Sequence, residues 1–511
     1  MSGVAAQPPA RGVTWEAAWL AGAGLSAVVA AFALARQPFF AAGVVFGGLL
    51  LMVTLVRPLA IMAAMLVIGP IDLSFLTGGF KSLLEEQGGL DMNGIRLIGM
   101  VVALGVMTVA DRDLLRIAAA RYGRWWLVFL AYAAASLAFT TSLVDGLRLL
   151  LKLAYPFLLF VGILGVVRTR AELERLASWL LWGAAAITLL LAPALVALGH
   201  YELDQGRVRI PMIGVHENPM SFYLLMVILV AFTRFTTRGH YRYLGLCLAC
   251  GAWIAVAMTR ITVLAALASF AGCALFAAVV VRNYRGVLAA VVVGALLGVA
   301  LLPTALERTF GYVPGAGELA ALAAHPAQLF RSMNFQGREI FWALVLKSFL
   351  AHPWVGEGLG SSTALILRNF PPSWGGVVHN EYLRLLSELG VVGVALFALA
   401  VFKWWGAVVR AARRADPLVR EFALPAFAGL VAWATISLTD NTFDYYAPFT
   451  QYVAFLCAGA LAAAALPGGA AGAWSGGAAP GAAPAGPPLP APAGPALTAP
   501  AAPGATERGG A

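Results

Sequence analysis

The sequence predicts an all-α protein built as a polytopic bundle of membrane helices, and three observations carry that prediction. Hydrophobic residues make up 61% of the 511 residues and charged residues only 11%, whereas a soluble domain has roughly 25% charged residues. Apolar runs of about 17–22 residues, long enough to cross a bilayer, recur along the chain. The Lys and Arg residues behind the net charge of +10 lie mostly in alternate connectors. This alternation indicates membrane topology and not nucleic-acid binding.

Taken in order, the apolar runs predict about fourteen transmembrane helices. They lie near 16–35, 39–56, 59–76, 93–110, 124–140, 147–167, 176–198, 213–233, 241–259, 261–281, 286–303, 383–405, 421–438 and 448–466. The basic connectors predict that both termini are cytoplasmic and that 199–212, 304–382 and 439–447 face the other side. The first run is long enough to remain as an uncleaved anchor.

Four parts follow from this pattern. Residues 1–303 and 383–466 form two sets of transmembrane helices, and residues 304–382 form one large extracytoplasmic loop. Ile340, Phe341 and Val345 belong to a helical apolar stripe, so we expect short helices over the mouth of the bundle. Residues 467–511 are rich in Ala, Pro and Gly, which predicts a disordered cytoplasmic tail that either docks a partner or is dispensable.

Cofactor and metal chemistry finds little support in the sequence. The four cysteines lie inside apolar runs, where they are expected to pack as small hydrophobic residues: Cys247, Cys250, Cys273 and Cys457. The chain has no Walker loop, dinucleotide fingerprint, nucleophile elbow or His-Glu-x-x-His sequence. We therefore expect neither cofactor nor metal, and an ATP-driven pump or a zinc protease is disfavoured.

The polar stretch at 337–393 holds the best candidate for a catalytic base. His379 ends the large loop, immediately before a predicted span. With an ordinary pKa of about 6.5, a histidine can accept a proton at neutral pH, although an interfacial histidine can also serve only as a hydrogen-bonding group. Gly356, Gly358 and Gly360 are expected to bring backbone N–H groups close together. The loop is thus predicted to hold an anion beside a base.

The residues after His379 predict the positive end of a helix on the same side. Asn380 is an expected N-cap and Glu381 a first-turn acid, and such a helix end can bind a phosphate. Glu381, Arg384 and Glu388 share one helical face at i, i+3 and i+7. Charges at this depth should face the bundle interior, where they either line a site or form an ion-pair ladder.

Other polar residues lie on the same predicted side. Arg260 opens one span, Arg209 precedes another, and His216 and Asn218 begin it; Arg338 opens a loop helix. An interfacial arginine binds an anion or merely extends to the polar surface, and residues as close in sequence as His216 and Asn218 do not converge on one metal ion. The last outer loop could contact a sugar, or be ordinary interface, through Asp440, Asn441, Asp444, Tyr445 and Tyr446.

Three motifs in this region form a recognisable set: Gly337-Arg338 at a helix start, HPWVGEGLG at 352–360, and VHNEYL at 378–383 followed by ELGVVG at 388–393. Together they resemble the signature loop of the O-antigen ligase and O-antigen polymerase family of bacterial envelope glycosyltransferases. The resemblance covers about residues 335–395. Agreement is weaker at Thr259-Arg260, where the family has Ser-Arg-Gly, and at 216–219, where it has His-Pro-Asn.

The resemblance implies a metal-independent, inverting glycosyl transfer from an undecaprenyl-diphosphate-linked donor, on the periplasmic side of the bacterial cytoplasmic membrane. It implies that His379 deprotonates the acceptor hydroxyl. Arg260 and Arg338, and also Arg209, would hold the diphosphate, because a guanidinium pairs well with phosphate oxygens. Five further residues are candidates for substrate binding: His216, Asn218, Asn380, Glu381 and Arg384.

The function predicted first is a polymerase of lipid-linked repeat units of an O-antigen, capsule or exopolysaccharide, since about fourteen spans are more than we expect of a ligase. The alternative within the family is a ligase that transfers a finished glycan to lipid A-core or to a protein. A transporter of lipid-linked sugars is the alternative from another class, although a carrier needs its charges near the midplane. The expected partners are the glycan donor and acceptor, membrane lipids, a chain-length regulator and a flippase.

Overall fold

The computed structural model describes residues 53, 56–71, 92–120, 122–204, 207–210, 217–257, 259–335, 337–371 and 376–467. All belong to the first of two compact units of the chain, which ends at Pro467. The predicted span at 16–35, most of the span at 39–56 and the tail beyond residue 467 lie outside the described residues.

The predicted all-α membrane bundle is confirmed. Its helices are α1 (Pro58–Ile68), α2 (Met92–Ala110), α3 (Arg112–Ala119), α4 (Arg124–Ala135), α5 (Leu143–Val166), α6 (Arg170–Ala186), α7 (Ala192–Ala197), α8 (Glu217–Arg238), α9 (Tyr241–Ala257), α10 (Arg260–Phe276), α11 (Tyr284–Phe310), α12 (Ala316–Ala324), α13 (Pro326–Ser332), α14 (Arg338–Ala351), α15 (Ser361–Asn369), α16 (Glu381–Ala412), α17 (Pro417–Ile436) and α18 (Gln451–Ala465). A 3₁₀ turn, Ser136–Phe139, follows α4, and π-helical turns at Ile187–Leu191, Ala277–Val281 and Tyr446–Thr450 adjoin α6, α10 and α18.

Within the described residues, eight helices are long and apolar enough to cross a membrane, and four shorter apolar helices accompany them. These helices coincide with the predicted spans from 59–76 onwards, so the total of about fourteen stays a prediction. Several boundaries shift: for example, α1 ends at Ile68, before Gly69–Pro70, and α11 continues to Phe310 although Pro303 lies inside it.

A short hairpin is the one β-sheet in the described part of the chain. Strands β1 (Glu202–Asp204) and β2 (Arg207–Arg209) pair antiparallel, with Glu202 opposite Arg209. Arg209, predicted to contact the diphosphate, therefore lies on the second strand of this hairpin, in the connection between α7 and α8.

Aromatic side chains pack against one another at the centre of the bundle. Trp404 on α16 lies 4.4 Å from Phe160 on α5 and 4.7 Å from Trp126 on α4, measured between ring centroids. Such pairs add stabilisation of about 0.5–1.5 kcal/mol to the burial of their apolar surface. By contrast, only 11% of the most apolar window of α11 is buried inside the protein. This helix therefore lies at the outside of the bundle, with most of its surface uncovered by the rest of the protein.

The large loop folds into helices, as predicted, and has a small core of its own. Phe341, Trp342 and Val345 on α14 pack with Ile366 on α15 and with Val378. The indole N–H of Trp342 also donates to the carbonyl of Val378, at 2.9 Å. Since Val378 immediately precedes His379, this core fixes the chain where the candidate base begins.

The glycine run corrects one prediction. Gly356, Gly358 and Gly360 all have positive φ, but their N–H groups do not form an open anion site. The N–H groups of Gly356 and Gly358 donate to the carbonyls of His352 and Glu388, and the N–H of Gly360 faces the side chain of Glu388. A Cβ on Gly356 would lie 2.4 Å from the backbone of Glu388. The glycines thus allow the loop to approach α16 closely.

This close approach provides hydrogen-bond partners at a point where α16 is interrupted. Gly390 has φ 64° and ψ −171°, which interrupts the helix. The carbonyls of Ser387 and Glu388 accept from backbone N–H groups of the loop at 3.0 and 2.9 Å, and that of Leu389 accepts from the hydroxyl of Tyr132 at 3.0 Å. The loop and α4 therefore satisfy carbonyls that a continuous helix would bond internally.

Candidate functional site

The candidate site is organised by the connection between α17 and the last π-helical turn, which we call the 437–446 loop. It contacts the start of α16 at several points: the N–H of Glu381 donates to the carbonyl of Ser437 at 2.9 Å, and the side chain of Asn380 donates to the carbonyl of Leu438 at 2.9 Å. The loop was predicted only as a possible sugar contact. In the structure it lies directly against the candidate base.

His379 has an unusual backbone conformation. Its φ of 53° makes it one of two non-glycine residues with positive φ in the described part of the chain. A non-glycine residue in this region stores of order 1–3 kcal/mol of strain, which the surrounding contacts must hold. Here the hydrogen bond to Val378 lies on one side and the cap of α16 on the other. The imidazole, 30% exposed, is thereby held in one direction.

Asp440 orients that imidazole. Its Oδ1 lies 3.3 Å from Nδ1 of His379, and the carboxylate is fully buried. When Nδ1–H donates to this carboxylate, the lone pair of the neutral ring lies on Nε2. The carboxylate would also stabilise the positive charge that the ring gains on taking a proton. The pair therefore has the chemistry of a general base with its orienting acid.

Three other donors hold Asp440 in place. Its Oδ2 accepts from the side chain of Asn218 at 2.8 Å, and its Oδ1 accepts from the hydroxyl of Tyr445 at 3.1 Å and from the N–H of Asn441 at 3.0 Å. A buried carboxylate needs such donors, because an unpaired one is strongly disfavoured. Asn218, predicted to bind substrate, is thus placed one residue away from the base, through Asp440.

The start of α16 confirms the predicted N-cap. The side chain of Asn380 accepts from the N–H of Leu383 at 3.0 Å, and Glu381 lies in the first turn. The N–H of Asn380 donates to the side chain of Asn441 at 3.1 Å. The cap fixes the residue after His379, so the positive end of α16 lies beside the imidazole.

Arg338 reaches the same loop from α14. Its guanidinium donates to the carbonyl of Thr439 at 2.6 Å, next to Asp440. Its charge also reaches the phenol of Tyr445: burial and the Asp440 carboxylate raise the pKa of Tyr445 well above its ordinary value, while Arg338 opposes the shift. Tyr445 therefore stays a protonated donor to Asp440. A cation, a base and a helix N-terminus lie together here.

A buried ion cluster supports this arrangement. Arg384 pairs with both carboxylate oxygens of Glu381, each at 2.8 Å, and with Asp444 at 2.9 Å. Asp444 also pairs with Lys152 of α5 at 2.6 Å. Burial raises the pKa of Asp444, but the charges of Arg384 and Lys152 outweigh it and hold the pKa well below its ordinary value. Of the predicted ion-pair ladder, the Glu381–Arg384 pair is present, but Asp444 takes the place expected of Glu388, which accepts from the hydroxyl of Ser362. Protein partners thus engage both Glu381 and Arg384.

The remaining predicted residues are less directly placed. Arg260 begins α10 and donates to the carbonyls of Arg308 and Asn334 at 2.9 and 2.7 Å. It therefore fastens the end of α11 to the segment before α14, and the structure gives no contact between it and His379. His216 lies outside the described residues. Of Arg209 the structure describes the backbone alone, so the roles of Arg260, His216 and Arg209 stay predictions.

Comparison with known proteins agrees with this geometry. A family model described as O-antigen ligase matches residues 244–398. The chain carries an O-antigen ligase family domain. The resemblance seen in the motifs is thereby confirmed, and members of this family are membrane glycosyltransferase-like enzymes. With its many apolar helices, the chain is a multi-pass protein of the bacterial inner membrane. No curated protein matches it significantly.

The O-antigen ligase domain does not hold the whole site. Arg260, Arg338 and His379 lie inside the matched segment, but Asn218 and Asp440 lie outside it. In the described part of the chain, no group of three or more His, Cys, Asp and Glu residues is placed to hold a metal ion. The His379–Asp440 pair offers acid-base chemistry.

Two supporting residues were misjudged from the sequence. Asp440 was noticed as a possible sugar contact, yet nothing local to it indicates that it orients a histidine 61 residues away. Lys152 is not among the residues that the sequence predicts for the site. Its signal was present, since a lysine inside an apolar run is costly in a membrane and commonly functional.

Proposed function

We propose that the chain is an inverting glycosyltransferase that polymerises undecaprenyl-diphosphate-linked repeat units into an O-antigen, capsule or exopolysaccharide. The observation that carries the proposal is the His379–Asp440 pair, in which a buried carboxylate fixes the imidazole of the family's signature loop. The predicted number of spans supports a polymerase over a ligase.

In the proposed reaction, Nε2 of His379 takes the proton of an acceptor hydroxyl. The oxygen then attacks the anomeric carbon of the donor from the face opposite the diphosphate, so that a new C–O bond forms while the bond to the phosphate oxygen breaks. The electron pair leaves with the diphosphate. Asp440 stabilises the imidazolium that results.

Stabilisation of the leaving diphosphate is assigned to Arg338, Arg260 and the positive end of α16. Arg338 is the best supported of these groups, because its guanidinium reaches the 437–446 loop beside Asp440. One well-placed donor to a developing negative charge contributes about 3–4 kcal/mol. Asn218 holds Asp440, and Asn380 caps α16. Both residues would therefore orient substrate only indirectly.

The proposed setting is the outer face of the membrane, with cytoplasmic termini. The donor and the acceptor are both lipid-linked glycans in a polymerase, and bilayer lipids surround the bundle. A flippase would deliver the donor and a chain-length regulator would limit the product. Neither metal nor cofactor is required by this mechanism, in which protein groups supply the base and the cations.

A ligase is the second candidate, and the description of the matching family favours it. The same base and the same cations would then transfer a finished glycan to lipid A-core or to a protein. Only the acceptor differs between the two reactions. For this reason the test must report both chain length and acceptor.

The test uses the purified full chain in lipid vesicles with lipid-diphosphate repeat units, without nucleotide sugar or metal, and follows product length on a gel. His379→Ala is compared with His325→Ala, an exposed histidine at the end of α12. We expect a ladder from wild type and from His325→Ala. The rate with His379→Ala should fall about 10²–10⁴-fold at an unchanged protein level.

Other outcomes redirect the assignment. Transfer to an added core acceptor without lengthening identifies a ligase. A ladder that His379→Ala leaves unchanged contradicts the assignment of the base. If no sample transfers glycan, but vesicles move lipid-linked sugar across the bilayer, the chain is a transporter and the proposal fails.

A further inference from the structure

Lys152 lies deep in a membrane helix on the side of the candidate site. It comes nine residues after Leu143, the first residue of α5, which places it roughly 14 Å along the helix axis. Its ammonium group lies 2.6 Å from Oδ1 of Asp444, and both side chains are 26% exposed. A lysine within a span is costly unless it is paired or serves a function.

Asp444 connects this lysine to the residue beside the base. Its N–H donates to the carbonyl of Asn441 at 3.0 Å. The side-chain oxygen of Asn441 in turn accepts from the N–H of Asn380, at 3.1 Å, and Asn380 follows His379. One short series of polar contacts therefore leads from Lys152 on α5 to the backbone N–H of Asn380, the residue after His379.

A second connection runs through the residue that follows Asp444. The hydroxyl of Tyr445 donates to Asp440 at 3.1 Å, and Asp440 contacts His379. A movement of Asp444 would displace both Asn441 and Tyr445, since all three belong to the 437–446 loop. The position of this one carboxylate thus affects both supports of the imidazole.

The charges show why Lys152 matters to that position. Arg384 and Lys152 balance the carboxylates of Glu381 and Asp444. Without Lys152, a single arginine faces two carboxylates, and one oxygen of Asp444 loses its cation. Removing one member of a partly buried ion pair leaves the charge of the other less well compensated, so we expect the Asp444 end of the loop to shift.

We propose that Lys152 is a positioning residue for glycosyl transfer, which acts through Asp444 on the 437–446 loop and so on the aim of His379. The inference rests on the proposed function, because the reaction it tunes is the one assigned there. Lys152 itself need not touch substrate. Its role is to keep the 437–446 loop in the conformation that directs the imidazole of His379 toward the acceptor hydroxyl.

The test compares Lys152→Met, Lys152→Arg, Asp444→Asn and the double variant Lys152→Met/Asp444→Asn, each as the full chain in lipid vesicles. The control is Arg148→Gln, one turn earlier on α5, where an exposed arginine lies 3.7 Å from Asp145. Initial transfer rates give kcat and KM separately, and thermal unfolding gives the folded fraction.

A shift of the base lowers kcat and leaves KM nearly unchanged. We expect Lys152→Met to lower kcat per folded molecule about 10- to 100-fold, the size of effect that misplacing a catalytic group by about an ångström produces. Lys152→Arg should recover most of the rate, and Arg148→Gln should match wild type. The double variant should be no slower than either single variant, because both changes remove the same link.

A readout without turnover separates this inference from the proposed function. Diethyl pyrocarbonate acylates exposed imidazoles, and mass spectrometry gives the rate at His379 relative to His325 in the same sample. Lys152→Met should change that ratio by roughly threefold or more, equivalent to about 0.6 kcal/mol. This result stands even if the wild-type chain transfers no glycan.

Three results would overturn the inference. Lys152→Met could lower the folded fraction alone, with kcat per folded molecule and the acylation ratio unchanged, which is the behaviour of a purely structural ion pair. The losses from Lys152→Met and Asp444→Asn could multiply, which means that the two residues act separately. KM could rise while kcat stays constant, which would make Lys152 a substrate contact.

Discussion

Replacing Asp440 with Asn tests whether the buried negative charge of Asp440 assists proton transfer to His379. The fully buried carboxylate of Asp440 accepts from His379, Tyr445 and the N–H of Asn441 through Oδ1, and from Asn218 through Oδ2. An Asn side chain can keep its oxygen toward the first three donors. Its amide group then meets Asn218, which can turn over and accept. The substitution therefore removes the charge with little loss of hydrogen bonding.

The magnitude follows from the distance to the imidazole. Two opposite charges at the observed 3.3 Å attract by about 5 kcal/mol at an effective dielectric constant of about 20. Water weakens this attraction because the imidazole is 30% exposed, which leaves about 2–4 kcal/mol for the imidazolium formed in the transition state. At about 1.36 kcal/mol per factor of ten, Asp440→Asn should lower kcat about 30- to 1,000-fold.

The assay is the gel-based transfer reaction, run as initial rates at several donor concentrations. KM should stay nearly constant, because the charge on Asp440 acts only once the ring takes a proton. The double variant His379→Ala/Asp440→Asn should be no slower than His379→Ala alone, since the carboxylate has no imidazolium to stabilise there. Thermal unfolding of each variant reports whether the fold is intact.

Two results would refute this reasoning. A folded Asp440→Asn variant with nearly wild-type kcat would show that the buried charge does not assist the proton transfer. An equal loss in the His379→Ala background would show that Asp440 acts on something other than the imidazole. Either result would leave His379 without the orienting acid that the geometry assigns to it.

Three further predictions concern the backbone, the ion cluster and the diphosphate. Gly390→Ala should lower the free energy of unfolding in detergent by about 1–3 kcal/mol or more, because its φ is positive and the new Cβ would lie 2.3 Å from the carbonyl oxygen of Trp354. Asp444 has a lowered pKa in the folded protein. Its ionised carboxylate therefore stabilises the fold fully above its unfolded pKa of about 3.9, and this stabilisation disappears as the pH falls toward the folded pKa. In thermal unfolding, Asp444→Asn should lack this acid-dependent part of the stability. Arg338→Gln should lower kcat/KM about 10²–10³-fold in the transfer assay, with Arg338→Lys less affected.

Matched variants control these experiments. Gly317→Ala lies in α12, where a new Cβ meets no atom within 4 Å, so its stability should not fall. Arg331→Gln removes an exposed arginine at the end of α13 and should retain transfer activity. The predictions are contradicted if Gly390→Ala is neutral, if Asp444→Asn shows the wild-type response to acid, or if Arg338→Gln and Arg331→Gln behave alike.

What the sequence could predict depended on how local each signal was. The helix bundle is predicted from apolar runs, and the Asn380 cap from the residues next to it. Both signals are local in the sequence, and both predictions are confirmed. The partnership of His379 with Asp440 joins residues 61 apart, and spacing along the chain does not reveal which loops meet. The role expected of the glycines failed for a related reason: the sequence showed their conformational freedom but not that α16 lies against them.

The break in α16 was hidden for another reason. Gly390 lies inside the predicted span at 383–405, so the sequence alone predicts an uninterrupted helix there. The neighbouring loop and Tyr132 of α4 make the interruption possible, because they supply the hydrogen bonds that the helix gives up at this point. A single glycine within an apolar run does not by itself distinguish a break from close packing.

This interruption also constrains how the protein enters the membrane and admits its substrates. Backbone carbonyls left without partners inside a bilayer cost several kcal/mol each, so α16 cannot settle in its final form until the 352–360 segment is seated against it. That segment leaves the ribosome first and can be waiting when α16 arrives. For the same reason it cannot swing aside as a gate during turnover. Lipid-linked sugars must therefore enter past some other boundary of the bundle.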